Sequence, residues 1–294
     1  MKRVTKKIAI VTDSVSDIPD RFIKEYGISV VPLYVNFDGE SFKEGVEISA
    51  DRIYNELRAG KIIKSSTPTI QDFTAVYRSL LDEQGFECIY SIHLSSLLSG
   101  TINAALSASR QFPEGSIKII DTKKAAIAEG FIVIEIAKAV NAGADEEKVD
   151  KLAGMLVGSI SFYATFENFE YVVRGGRAPF LSRFAGKASI VKPIIAFNSK
   201  GKLRLKKFCF SKKSSISWLY HLVRRDILNS SNRRNIIGIC YGNDQGPADE
   251  LKNMIENDSD IIVEEIIMTR MTAVMGAHTG PGIWGIAACP VLDP

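Results

Sequence analysis

Five short stretches of this 294-residue chain hold residue types that could do chemistry. The first, Thr12-Asp13-Ser14, sets two hydroxyls and an acid directly after an apolar run, and it reads either as a helix-capping turn or as a ligand loop. The second, Ser65-Ser66-Thr67-Pro68, is a solvated loop leading into a capped helix or a cluster of hydroxyl donors. The third, Leu94-Ser95-Ser96-Leu97-Leu98-Ser99-Gly100-Thr101, is the most informative. It runs from a strand end into a helix, where hydroxyls and free backbone N–H groups suit one carboxylate or phosphate. The fourth, Gly276-Ala277-His278-Thr279-Gly280-Pro281-Gly282, bends glycine backbone around an imidazole that can donate or accept; the plainer reading is a histidine satisfied inside a Gly-Pro turn. The fifth, Arg174-Gly175-Gly176-Arg177, delivers a guanidinium through a tight turn or stands as a solvated basic turn.

Several chemistries lack their signals. There is no GxxxxGK[ST], no GxGxxG after the first strand and no GxSxG, which removes the best marks of nucleotide hydrolysis, dinucleotide redox and α/β-hydrolase chemistry. The cysteines, Cys88, Cys209, Cys240 and Cys289, form no CxxC and read as buried thiols. His93 lies in a strand and His221 in a helix, neither with a neighbour at metal-ligand spacing.

The elements that must position these stretches alternate strand and helix in the first half, as a parallel sheet requires. Residues 7–11 read as a buried strand, 19–27 as a helix stopped by Gly27, and 28–37 as a β-branched strand. Ser49 and Thr69 are N-caps of helices ending near Gly60 and Gly85. Residues 88–94 form a strand, 101–112 a helix, 116–120 a strand and 124–142 a long helix, after which Asp145 caps another. Beyond residue 158 the rhythm changes: strands at 160–166 and a hairpin over 190–210, a helix at 214–228, a strand at 236–241, a helix at 247–255, and strands at 261–268 and 283–289. The expectation is an α/β chain of two domains. Residues 1–158 form a Rossmann-like domain with a parallel sheet, and 159–294 a mixed-sheet α/β domain.

Composition agrees with a globular protein: 46% hydrophobic, 24% charged, 9% aromatic, with no apolar run of the ~18 residues a membrane helix needs. No charged segment leads into an apolar one at the start, so the expected location is the cytoplasm. The net charge of +3 hides a segregation. From Arg174 to Arg234 there are 16 Lys and Arg against one acid, Asp226, while the rest of the chain carries −12. That pattern implies a basic face and an acidic or phosphate-bearing partner. Phe208, Phe210, Trp218 and Tyr220 lie within it at core-like spacing, so a solvated basic face is the better reading and no nucleic-acid partner is expected.

Taken together, the TDS after strand one, the SSTP loop, the SSLLSGT helix start, the RGGR turn and the GAHTGPG near the end resemble the bacterial DegV family, which includes the fatty-acid-binding subunit of fatty acid kinase. The resemblance spans nearly the whole chain in the right order. It implies a two-domain DegV-type fold with a long-chain fatty acid between the domains, its tail in an apolar tunnel. By the family's motifs, Ser65 and Ser96 look like ligands of the carboxylate, and His278 would orient it. Arg177 matches the arginine of the family's GGRI turn; Ser95 and Thr67 are possible neighbours, and Thr12, Asp13 and Ser14 possible further site residues. The implied protein is a carrier without a catalytic residue, metal or cofactor. It would present the carboxylate to a kinase subunit for acyl-phosphate formation through the basic 174–234 segment, with transient contact to an anionic membrane.

The sequence departs from the family at Ser65 (usually Thr), Thr67 (often Gln), Ala178 (usually Ile) and Phe210, where an arginine associated with engaging the kinase usually stands. Two other readings stay open on sequence alone. One is a serine-dependent acyl hydrolase using Ser96 and His278, with Asp13 or Asp121 as third member; the other is a carrier of another small apolar acid.

Overall fold

The computed structural model describes residues 6–230 and 233–292. Strand β1 (Ile8–Asp13) is buried at all six positions, as expected of a parallel strand covered on both faces. After α1 (Asp20–Tyr26) comes the short β2 (Ser29–Val31). The single strand expected over 28–37 is broken at Pro32-Leu33, because Pro32 has no N–H for a ladder and the Leu33 N–H donates instead to Ser14 Oγ at 3.0 Å. The chain then builds a small antiparallel sheet from β3 (Tyr34–Phe37), β4 (Glu40–Lys43) and, past α2 (Ala50–Arg58), β5 (Lys64–Ser66), in the order β4-β3-β5. Thus the SSTP segment begins as a strand held by β3 and not as a free loop.

Helix α3 (Ile70–Arg78) leads to β6 (Cys88–His93), α4 (Thr101–Ser109) to β7 (Ile117–Asp121). Strands β2-β1-β6-β7 make a wholly parallel sheet. The expected caps are made: Ser49 accepts from Arg52 N–H, Thr69 and Asp72 form a capping box, and Asp145 accepts from Lys148 N–H. Helix α5 (Ile127–Asn141) starts three residues later than expected, since Lys123 and Ala126 hold positive φ angles in the preceding loop.

After α6 (Glu146–Ser159) the chain enters a second, six-stranded sheet of order β10-β9-β8-β13-β11-β12. Its strands are β8 (Ser161–Phe166), β9 (Lys192–Phe197), β10 (Leu203–Cys209), β11 (Arg234–Tyr241), β12 (Ile262–Arg270) and β13 (Ile283–Pro290); only β11 and β12 pair in parallel. Between them lie α7 (Glu170–Gly175), α8 (Lys212–Asn229), α9 (Gly246–Glu256) and α10 (Ala273–Thr279). Arg174-Gly175 therefore ends a helix and His278 sits on one, where the local sequence predicts turns at both.

Helix α5 is apolar almost all round and buried from Ile127 to Ile134. A helix of that kind needs cover on every side. It packs on β1 and β6 of the parallel sheet and on β11 and β13 of the mixed sheet, so one continuous core cluster runs through both parts of the chain. On β11, the place where a side chain at Gly238 would stand is taken by Ile127 and Phe131. Among the described residues no helix is long and apolar enough to cross a membrane, and no group of three or more His, Cys, Asp and Glu is placed to hold a metal.

Asp13 ties the first sheet's loops together. Its Oδ1 accepts from Val15 N–H at 3.0 Å; its Oδ2 accepts from Leu94 N–H at 3.2 Å and lies 3.0 Å from His93 Nδ1. His93 Nε2 continues to Ser91 Oγ at 2.6 Å and Ser91 to the Tyr77 hydroxyl at 2.7 Å, all fully buried. Replacing Asp13 by alanine strands three buried groups at roughly 1–3 kcal/mol each. Urea unfolding of Asp13→Ala is expected to show a loss of at least ~3 kcal/mol; a loss within the ordinary surface range of about 0.5 kcal/mol would contradict this account.

Candidate functional site

Above the ends of the parallel strands, against β8 and β9, the chain encloses an apolar cavity. Its walls are Val15, Leu33, Leu94 and Leu98 from the first part of the chain, Ala125 and Ala126 before α5, and Phe162, Phe166, Ile195, Phe197 and Leu203 from the mixed sheet. Polar side chains gather at Ser65, Ser99, Arg177, His278 and Thr279. The wall is almost wholly hydrocarbon, with a few polar groups that converge, which is the make-up of a small-molecule site.

His278 Nε2 lies 2.6 Å from Ser65 Oγ, joining α10 to the end of β5. The other face of the imidazole meets α7: a Cβ built on Gly175 would stand 2.8 Å from His278 Nδ1, so only glycine lets the helix approach that closely. Gly176, at φ +72°, then turns the chain and brings Arg177 to the cavity. The Arg177 guanidinium is pinned through Nη1 to the Gly175 carbonyl at 2.7 Å and through Nε to the Leu98 carbonyl at 3.2 Å. Its remaining N–H groups are left for a ligand. The spacing of the RGGR motif is thus explained by two contacts, one to His278 and one to the 94–101 segment.

That segment does not bring Ser96 to the cavity. The Leu98 and Ser99 N–H groups both close onto the Ser95 carbonyl, a tight turn that carries Leu98 and Ser99 inward and Ser96 out to solvent. There the Ser96 hydroxyl donates to Asp121 Oδ2 at 2.6 Å. The Ser96–His278 pair needed for an acyl hydrolase is not made, since His278 faces Ser65. Ser99, whose hydroxyl lies 2.9 Å from that of Thr101, takes the inward place, which sequence reasoning did not single out; the available signal was its position four residues after Ser95 and just before the start of α4.

The other expected residues have structural work. Ser95 is buried and donates to the Gly201 carbonyl at 2.9 Å, fastening the β9–β10 turn. Thr67 packs by its methyl against Gly100 and is not part of the wall. Thr12 and Asp13 are fully buried within the first sheet's loops, and Ser14 bridges Leu33 N–H and Glu44; the capping reading of this motif is the one the structure shows. Outside the Ser65–His278 pair lies a second recess, lined by Lys61, Lys64, Arg174 and Arg177 with Leu57, Ile62 and Tyr171, so the polar end of the cavity opens beneath a cluster of cations. Within the recess Lys61 is paired with Asp38 and Glu56 and Arg174 with Glu170, and elsewhere the basic segment is partly neutralised by Arg224 to Asp258 and Asp260 and by Lys212 to Asp244.

Burial, with a smaller effect from Arg177, lowers the His278 imidazole from 6.5 to about 4, so it is neutral at physiological pH. The unfolded chain binds this proton near 6.5 and the folded chain only near 4, so the contribution to stability is intact above pH 6.5 and is lost as the pH falls toward 4. Glu44, raised to about 7 by burial, acts in the opposite sense, and its cost grows as the pH rises from 4.5 to 7. Melting curves between pH 4 and 8 are therefore expected to show His278→Gln less sensitive to acid than the parent, by on the order of 3 kcal/mol at the acid end, and Glu44→Gln more sensitive to it. Parallel curves for all three proteins would contradict the buried neutral imidazole.

A model of the DegV family, described as a family of uncharacterised proteins, matches residues 7–291. A DegV domain-containing protein of Caldanaerobacter subterraneus subsp. tengcongensis is 30% identical over 281 residues, covering 96% of this chain and 98% of its own. One from Staphylococcus aureus N315 is 30% identical over 283 residues with the same coverage. Among solved structures, that of a DegV family protein from Thermus thermophilus, reported for its fatty acid binding, superposes with a TM-score of 0.90 at 28% identity over 97% of this chain and 100% of the other. A Thermotoga maritima protein whose structure reveals a fatty acid binding function follows at 0.85 and 25%, covering 97% and 100%. With the family's model matched across nearly its full length and the fold shared from β1 to β13, this chain belongs to the DegV family.

Proposed function

We propose that this protein is a fatty-acid carrier that holds one long-chain fatty acid with its tail in the apolar cavity and its carboxylate at Ser65, Ser99 and Arg177. The observation that carries this reading is the cavity itself: hydrocarbon walls with converging hydroxyls and a guanidinium, and His278 behind Ser65. Burying a 16-carbon tail removes about 14 methylenes from water at ~0.8 kcal/mol each, on the order of 11 kcal/mol before ordering costs. The carboxylate needs hydrogen bonds to replace its water. A neutral His278 that donates from Nε2 to Ser65 Oγ frees the serine proton for the ligand, and Arg177 supplies the countercharge. The fatty-acid binding of the Thermus and Thermotoga proteins supports the same reading.

Carriage of the fatty acid to a kinase subunit, which forms an acyl phosphate on its carboxylate, is the further step. Lys64 and Arg177, with the ion-paired Lys61 and Arg174, line the recess at the polar end, and Lys202 lines a further recess with Arg177, a field suited to a phosphate-bearing partner or a brief encounter with an anionic membrane. Phe210, in the place of the family's kinase-engaging arginine, is 73% exposed.

Denaturing the purified protein, extracting it with organic solvent and identifying released lipid by mass spectrometry should yield close to one fatty acid per chain. A protein that emerges empty and also takes up no added fatty acid overturns the proposal. In titrations with a fluorescent fatty acid, Ser65→Ala and Ser99→Ala are expected to weaken binding roughly tenfold, about 1.4 kcal/mol, whereas Ser96→Ala leaves it unchanged. For the kinase step, Phe210→Arg should tighten binding to a fatty acid kinase subunit from the same genome, and that binding should weaken with salt. No detectable binding by either protein at low salt removes the coupling.

A further inference from the structure

Helix α10 carries His278 in its last turn and is gripped at its first turn by two acids from distant parts of the chain. Asp17 Oδ1 accepts from the Thr272 N–H at 3.0 Å, and Glu44 accepts from the Val274 N–H while its other oxygen takes the Ser14 hydroxyl. Both acids are buried, at 3% and 4% exposure, and neither makes an ion pair among the described residues. The helix has no side-chain cap of its own: Thr272 stands at the N-cap position, but its hydroxyl is buried near the two carboxylates and makes no hydrogen bond. Tyr54 adds a third hold, its hydroxyl donating to the Met271 carbonyl at 3.1 Å while its ring fills the space beside Gly276.

A threonine cap alone would satisfy the helix end without burying any charge. Burying two carboxylates is far costlier, and burial pushes both carboxyls up, Glu44 to about 7 and Asp17 well above the usual range. The groups facing them are each other, Asp13, Glu129, Cys240, Ser14, Thr272 and the Tyr54 phenol, with Arg270 stacked on the outer side of that ring. So costly an arrangement does more than close a helix end. From Thr272 to His278 the helix rises only ~9 Å, under two turns, which leaves little room for bending between the grip and the imidazole.

We infer that Asp17 and Glu44 are positioning residues, which fix the first turn of α10 and so hold His278 Nε2 within hydrogen-bond reach of Ser65. What His278 does for a ligand rests on the proposed fatty-acid function, but its position does not. The test is an NMR titration of the protein labelled at its histidines, with the His278 signal assigned from His278→Gln. In the parent protein burial is expected to hold His278 at about 4. In Glu44→Ala it is expected to move toward the ~6.5 of a free imidazole as the ring gains water, and Glu44→Gln, whose carboxamide oxygen still accepts from Val274 N–H, is expected to restore the parent value. Fatty-acid affinity should fall roughly tenfold in the alanine variant and recover with glutamine.

A folded Glu44→Ala whose His278 titrates as in the parent overturns the inference. If that variant does not fold, Ser14→Ala loosens Glu44 more gently, and an unmoved His278 there overturns it equally. A His278 that moves while fatty-acid affinity stays constant supports the positioning role and counts against the carrier reading instead.

Discussion

Everything else in this molecule depends on α5, a helix whose first two turns have no face for water. Because Ile127, Phe131, Ile132 and Ile134 lie at angles that no single partner covers, the helix must be packed between two layers, and it finds the parallel sheet on one side and β11 and β13 on the other. One core is thereby shared between parts of the chain that a strand-and-helix count would separate. The only polar side chain in its first turn, Glu129, is fully buried beside Thr12 and Asp13, and desolvation followed by the charge of Asp13 pushes its carboxyl well above the ordinary range.

The cavity is a consequence of that sharing. Where the two layers separate at the start of α5, small residues, Ala125 and Ala126, leave a space that Phe162, Phe166 and Phe197 wall from the other side. Ala126 stands at φ +58°, strain that the Val15 carbonyl, accepting its N–H at 3.1 Å, holds in place. Strain of this kind collects where a site must be shaped, and here it shapes the wall on which an acyl tail would lie.

At the polar end, charge is placed sparingly. The imidazole is neutral, the hydroxyls of Ser65 and Ser99 are neutral, and one guanidinium, already tied to two carbonyls, carries the positive charge. A carboxylate held there would be bound by hydrogen bonds and a single countercharge. It would stay reachable beneath the rim of Lys61, Lys64 and Arg174. The fully buried Asp13–His93–Ser91–Tyr77 chain resembles catalytic machinery in composition, yet none of its members lines the cavity, and its part is to fasten β1 to β6.

What the sequence alone determined is what short-range physics decides. Apolar runs announced β1, β6 and β13, local hydroxyls and acids at Ser49, Thr69 and Asp145 announced the helix starts, and the combination of motifs announced the family; of the residues those motifs marked, Ser65, Arg177 and His278 line the cavity. Tertiary structure alone decided the rest. The strands β4 and β5 are short and polar, and they exist because β3 pairs with both. The short α10 is a helix because Asp17, Glu44 and Tyr54 hold its start from over 200 residues away. The choice of Ser99 over Ser96 turns on which side of one tight turn faces the mixed sheet, and the basic segment loses part of its charge to Asp244, Asp258 and Asp260. Each of these outcomes depends on partners distant in the chain, whose proximity is itself a product of folding, so no local pattern of residues could carry it.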